Sequence, residues 1–137
     1  MDETLSLVLF SGTDDKLHSA ATLAAGAAAL GKPVRVFLQF WALDAFRADR
    51  IGSPNGVAPE AGRAGQAAYE AAIAAGQTRW PDTFRAAKEL GDVDIQACSA
   101  SMDILKLAPS DLDPMVDGVQ GVAAFFINAG EGQIVFI

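Results

Sequence analysis

The chain has 137 residues, which is enough for one domain with a substantial buried core. Apolar residues make up 51% of it and charged residues 20%, and this balance excludes global disorder. The 17 acidic residues against 10 basic ones give a formal net charge of −7. Because no run of Lys or Arg occurs, the composition argues against nucleic-acid binding and against attachment to anionic membranes.

One cysteine and one histidine limit the chemistry further. A single Cys98 excludes an internal disulfide, and with His18 it supplies too few ligands for structural zinc, so no metal and no cofactor are expected. The start, MDETLSLVLF, is acidic where a secretory signal is basic, and the uncharged run 19–31 is too short to span a bilayer. A cytoplasmic protein with a free thiol is therefore expected.

The chain begins with a predicted strand, a loop and an Ala-rich helix. Residues 5–10 are apolar and of strand length, and the turn-forming loop SGTDD follows them. Asp14 or Asp15 is expected to cap a helix over 16–30, and Gly31 is expected to end it. Since this helix is small and apolar on almost every side, we expect it to be buried by the sheet, by other helices or at a subunit contact.

The rest of the chain alternates between strand-like and helix-like segments. Residues 51–65 are rich in Gly, Pro and Ala, which predicts a long surface loop or lid. The other predicted elements are a strand at 33–39, a helix at 41–50, a helix at 66–75, a helix from Pro81 to Gly91, a strand at 93–98, a helix at 99–106, an acidic loop with two prolines, and strands at 121–127 and 133–137.

This alternation predicts an α/β three-layer sandwich with a mostly parallel five-stranded sheet, in a single domain over 1–137. The last connection, NAGEG, is too short for a crossover helix. We therefore expect the strand at 133–137 to run antiparallel beside the strand at 121–127, as a hairpin.

Two candidate groups of pocket residues follow from this topology, since ligands bind at the carboxyl edge of an open parallel sheet. The loop SGTDDK follows a strand and opens a helix, so Ser11, Gly12 and Lys16 are candidates for lining a pocket, with helix amides and the lysine suited to an anion. The alternative is a loop in which an aspartate only caps the helix. Phe40 and Trp41 end the second strand and are candidates for a pocket wall or a partner contact; the alternative is ordinary packing.

Cys98 is the strongest single signal. Free cysteines are often buried, so a core role is one interpretation. The other follows from its place between a parallel strand and a helix start, where the amides of Ser99 and Ala100 and the helix dipole would favour the nucleophilic thiolate. Position alone does not separate the two interpretations.

The sequence resembles the DsrE/DsrF-like family of small α/β proteins linked to sulfur transfer. The resemblance is carried by the first strand with SGTDDK, the Ala-rich helix ending in GKPV, the segment VFLQFWAL, and above all IQACSASMDIL followed by an acidic loop and GVAAFFINA. It implies a five-stranded sandwich over 1–137 that assembles into trimers or hexamers. It also implies that Cys98 carries sulfur as a persulfide between donor and acceptor proteins. The long 51–65 segment departs from the compact family pattern.

The residues and the resemblance allow three functions. The first is a cytoplasmic persulfide carrier or sulfurtransferase subunit in which Cys98 accepts and donates sulfane sulfur; no second thiol in the chain can resolve the persulfide. The second is a non-catalytic oligomeric assembly or binding protein with a packed Cys98. The third, a thiol peroxidase, ranks last because no Arg lies within 92–105. The apolar helix at 16–30 and the terminal IVFI predict a homo-oligomer.

Overall fold

The computed structural model describes residues 3–137. Within them, five strands form one sheet in the spatial order β4-β3-β2-β1-β5, and all neighbouring strands pair in parallel. The strands are β1 (Leu5–Leu9), β2 (Val34–Leu38), β3 (Val93–Cys98), β4 (Gly118–Gln120) and β5 (Gln133–Phe136).

Up to residue 106, the helices of the described residues lie close to their predicted positions, except that the helix predicted at 41–50 already ends at Ala45. They are α1 (Asp14–Ala29), α2 (Phe40–Ala45), α3 (Gly62–Ala74), α4 (Trp80–Leu90), α5 (Ser99–Leu105) and α6 (Val122–Ala129), with short 3₁₀ turns at Pro59–Ala61 and Pro109–Asp111. The predicted loop at 51–65 is shorter than expected, because α3 already begins at Gly62.

Two predictions about the C-terminal part are wrong. Residues 121–127 belong mainly to helix α6 and not to a strand, and β4 is the short segment before them. A short apolar run fits a buried strand and a buried helix equally well, so its pattern could not separate them. Because α6 supplies the crossover, β5 is not the antiparallel partner of the preceding strand; it pairs in parallel with β1 on the other side of the sheet.

Alternate side chains of the strands face two different apolar clusters. On one face, Leu7, Val36 and Ile95 join a large cluster with α1 and α4. On the other face, Val8 and Phe37 join a small cluster that includes Phe125 of α6. We call these the α1 face and the α6 face of the sheet.

Helix α1 is buried along one stripe and not on all sides. Ala20, Ala24 and Ala28 are buried, whereas Leu23 is 43% exposed and Leu30 is 67% exposed. The small alanines let α1 and α4 pack closely against one another over the α1 face. The prediction of a helix without a water-facing side is therefore wrong for the single chain.

The aspartates after β1 bind a distant segment instead of capping their own helix. Thr13 occupies the N-cap position of α1 and makes no side-chain capping bond. The buried carboxylate of Asp14 accepts hydrogen bonds from the Asn55 amide (2.8 Å) and from Trp80 Nε1 (2.9 Å). Asp15 accepts from the Ala58 amide. Residues 52–58 are thus fastened to α1 and α4.

No helix within residues 3–137 is both long and apolar enough to cross a lipid bilayer.

Candidate functional site

Cys98 lies at the carboxyl end of β3 and is the N-cap residue of α5, as the sequence predicted. Its backbone is extended, with φ −69° and ψ 120°, so the strand passes into the helix without an intervening loop. Ser99, half-buried, and Ala100, exposed, are the first two residues of α5 and follow the thiol directly.

The Cys98 side chain belongs to the apolar cluster on the α6 face. The residue is a free cysteine, 6% exposed, and it clusters with Val8, Phe37 and Phe125. The rings of Phe37 and Phe125 stack with their centroids 4.8 Å apart. In the single chain, therefore, Cys98 is almost completely buried in a cluster that includes Phe125 of α6.

A buried serine connects α5 to the end of β2. Ser101 is 1% exposed, and its Oγ accepts a hydrogen bond from the backbone amide of Phe40 at 3.1 Å. The role of Ser101 was not predicted from the sequence, since nothing in the local pattern distinguishes it from the half-buried Ser99 or the exposed Ala100. Its partner is 61 residues away in the chain.

Phe40 has an unusual backbone conformation. Its φ is +42°, in the left-handed region that a bulky side chain rarely adopts and that costs about 1–2 kcal/mol. Gly12, in the segment after β1, lies very close to the backbone of Trp41. A Cβ atom on Gly12 would be 2.3 Å from the Trp41 carbonyl oxygen. The segments after β1, β2 and β3 thus meet at Phe40 and Trp41.

Four aromatic rings form a row along the carboxyl edge of the sheet, which we call the aromatic row. The ring centroids of Phe136 and Phe10 are 5.9 Å apart, those of Phe10 and Phe40 5.2 Å, and those of Phe40 and Trp41 6.0 Å. Trp41 is 55% exposed and Phe136 is 66% exposed. Phe40 and Trp41 were predicted from the sequence, but Phe10 and Phe136 were not, because Phe136 reaches this edge only when β5 runs parallel to β1.

Of the five predicted pocket residues, the structure brings three together around one cavity, and Phe40 and Lys16 do not line it. Ser11, Gly12 and Trp41 line a cavity of about 410 Å³ together with Asp44 and Arg50, among others. Lys16 lines a different cavity, beside Phe136 and Ile137. Cys98 lines neither of these two cavities.

The start of α1 is negatively charged. Burial raises the pKa of Asp15, but hydrogen bonds from Thr13, Ala58 and Lys16 outweigh it, so its pKa lies below the usual value of 3.8. The Asp14 amide already donates to the Gly56 carbonyl (2.7 Å). Arg50, the cation of the neighbouring cavity, is paired with Asp44. These contacts favour the fastening role of this loop over anion binding.

His18 lies on the α1 face of the sheet, the opposite face from Cys98. Its Nδ1 lies 3.3 Å from the hydroxyl of Tyr69 on α3. Burial and the nearby charge of Asp14 raise the pKa of Tyr69, which keeps its hydroxyl protonated at neutral pH. His18 is therefore not placed to act as a base for the thiol. Among residues 3–137, no group of three His, Cys, Asp or Glu side chains is arranged to hold a metal.

Comparison with known proteins supports the resemblance found in the sequence. The model of the DsrE/DsrF/DrsH-like family matches residues 1–57. The uncharacterized protein YrkE of Bacillus subtilis (strain 168) is 29% identical over an alignment of 156 residues that covers 94% of this chain and 92% of YrkE.

Two solved structures share the fold. A protein of unknown function from Methanobacterium thermoautotrophicum, MTH1491, has a TM-score of 0.61 and 12% identity over 99% of this chain and all of that one. The ychN protein of E. coli has a TM-score of 0.60 and 12% identity over the full length of both chains. At this identity they show a common fold and no more.

Proposed function

We propose that the chain is a persulfide carrier in sulfur trafficking that accepts and donates sulfane sulfur through Cys98; the match of residues 1–57 to the DsrE/DsrF/DrsH-like family supports this proposal. The observation that carries the proposal is the position of the thiol. Cys98 ends a strand in the interior of the parallel sheet and begins a helix, at the edge where open α/β sheets bind their ligands.

The proposed reaction is a thiol exchange in two steps. The Cys98 thiolate attacks the outer sulfur of a donor persulfide; a new S–S bond forms on Cys98, the donor S–S bond breaks, and the donor leaves as a thiolate. An acceptor thiolate then attacks the outer sulfur of Cys98–S–SH and releases the Cys98 thiolate. The amides of Ser99 and Ala100 are proposed to stabilise that thiolate.

Burial of the thiol has two consequences for this cycle. The apolar side chains of Val8, Phe37 and Phe125 keep water away from a loaded persulfide. They also require that the region around α5 and α6 opens before donor and acceptor can reach the sulfur. The exposed ring of Trp41, at one end of the aromatic row, is the surface we assign to the approaching proteins.

The test is mass spectrometry of the intact protein after incubation with inorganic polysulfide. We expect a mass increment of one sulfur atom, removed by a reducing agent and absent in Cys98→Ser. As a control, the protein is unfolded in urea and then incubated with the same polysulfide, which shows whether the polysulfide can transfer sulfur to an accessible Cys98. A wild type that gains no sulfur when native, while the unfolded chain does, would contradict the proposal.

A second function is favoured by the burial itself: a non-catalytic oligomeric assembly or binding protein in which Cys98 fills space between β3 and α6. A side chain 6% exposed among three apolar residues is what such a role requires. Iodoacetamide separates the two functions. A thiol that resists alkylation for hours in the reduced native protein, with no persulfide formed, favours the assembly protein.

We further propose a cytoplasmic homo-oligomer, a trimer or hexamer. Large apolar side chains remain uncovered on α6 and on β5, and a soluble monomer rarely leaves so many together. They are Val122 (55% exposed), Phe126 (58%), Ile127 (79%), Ile134 (45%) and Phe136 (66%). Light scattering checks the assembly: the wild type should be oligomeric and Ile127→Asp should shift it towards the monomer. A strictly monomeric wild type would refute it.

A further inference from the structure

We propose that Ser101 is a positioning residue for Cys98, and that its hydrogen bond to the amide of Phe40 holds α5 in the closed state in which the thiol is covered. The inference rests on the proposed function of Cys98, since it concerns how that thiol becomes accessible. The hydrogen bond joins two neighbouring segments at the carboxyl edge of the sheet, the one after β2 and the one after β3.

The hydrogen bond to Ser101 and the backbone conformation of Phe40 depend on one another. Phe40 keeps its left-handed φ of +42° while its amide donates to Ser101 Oγ at 3.1 Å. If the bond breaks, the backbone of Phe40 is free to relax to an ordinary conformation, which moves its amide away from the serine. Breaking the bond and relaxing the backbone thus favour one another, so the closed and open arrangements are two alternatives and not a continuous range.

The hydrogen bond between Ser101 and Phe40 lies within the first turn of α5, directly after the thiol. Cys98 caps α5 and Ser101 is its third residue, so a displacement of the Ser101 turn moves the cap directly. Ser101 is 1% exposed and Cys98 is 6% exposed, and α2 and α5 pack against each other at this edge. Phe125 of α6 belongs to the same apolar cluster as Cys98, and the hydrogen bond between Ser101 and Phe40 does not involve it.

The experiment measures the alkylation rate of Cys98 by iodoacetamide in the native protein, with three variants. Ser101→Ala removes the acceptor and should raise the rate about tenfold, the change expected when one buried hydrogen bond that limits opening is lost. Ser101→Thr retains a hydroxyl and should restore the slow rate. Phe40→Gly retains the amide and adopts positive φ freely, so its thiol should stay at least as protected as in the wild type.

The matched control separates local opening from loss of global stability. Ala24→Gly destabilises the buried side of α1 on the other face of the sheet, and its Cys98 should react as slowly as in the wild type. The chain has a single cysteine, so each alkylation is assigned by mass alone.

Three outcomes would overturn the inference: an unchanged rate in Ser101→Ala, a rate that rises equally in Ala24→Gly, or a fast Phe40→Gly beside a slow Ser101→Ala. The last would mean that the Phe40 ring holds α5. The Ser101→Ala and Phe40→Gly pair decides even if threonine does not fit the buried site. Polysulfide loading is read separately: a wild type that loads sulfur despite an unmoved alkylation rate retains the proposed function and refutes the role of Ser101. An alkylation rate that changes as expected in a protein that does not load sulfur supports the role of Ser101 and refutes the proposed function.

Discussion

Asp14 joins three parts of the chain that are far apart in sequence, and its removal should be costly. Its side chain is buried, with the residue 5% exposed, and accepts hydrogen bonds from the Asn55 amide and Trp80 Nε1 at 2.8 and 2.9 Å. In Asp14→Ala both donors lose their acceptor. A buried donor left without a partner costs about 1–3 kcal/mol; Trp80 Nε1 is buried and the Asn55 amide is half-buried and costs less, so the two together predict a loss of roughly 2–4 kcal/mol in the free energy of unfolding.

The companion variant Asp14→Asn should lie between Asp14→Ala and the wild type, because the amide oxygen still accepts one bond while its NH₂ group faces the other donor. Urea unfolding followed by tryptophan fluorescence measures all three proteins. Asp49→Ala is the control; Asp49 pairs with Arg47 at an exposed position, and its loss should change stability by less than about 1 kcal/mol. An Asp14→Ala variant within 1 kcal/mol of the wild type would refute the reasoning.

Three further predictions concern the same edge of the sheet. Phe125→Ala should lower the free energy of unfolding by about 3–5 kcal/mol in urea titrations, and it should speed alkylation of Cys98 beyond any effect of global unfolding. An alkylation rate equal to that of the wild type would mean that α6 does not cover the thiol. Gly12→Ala places a methyl group 2.3 Å from the Trp41 carbonyl oxygen and should lower the melting temperature by several degrees, whereas an unchanged value would contradict the close approach. Because the folded pKa of Asp15 is lowered below 3.8, its contribution to stability is complete above that pH and is lost as the pH falls through the folded value. The stability difference between wild type and Asp15→Asn should therefore shrink on acidification, and a difference that grows instead would refute this.

The comparison of Cys98 with Ser101 shows which site residues could be predicted from the sequence. Cys98 carries rare chemistry and lies at a boundary between a β-branched run and a helix start, so its place at the sheet edge followed from local pattern. Ser101 carries common chemistry, and its role depends on an amide 61 residues away. Hydrogen bonds between distant segments leave no periodic signal in a single sequence.

The same distinction applies to Asp14 and Asp15. An aspartate after a strand and before a helix fits a capping role, and this is what the sequence predicted. The carboxylates instead reach the segment 52–58 and Trp80, because folding brings that segment against the start of α1. The choice between these partners lies entirely in tertiary packing.

By itself, the sequence determined the α/β class, most of the strands and helices up to residue 106, the resemblance to the DsrE/DsrF-like family, and the position of the only thiol after β3. These follow from local hydrophobic period, turn residues and composition, which act over a few residues. Only the tertiary structure decided that 122–129 is a helix, that β5 pairs in parallel with β1, and that Cys98 is buried in a cluster with Phe125. An apolar run of eight residues is stable as a strand or as a helix, and the surface available to bury it selects between them.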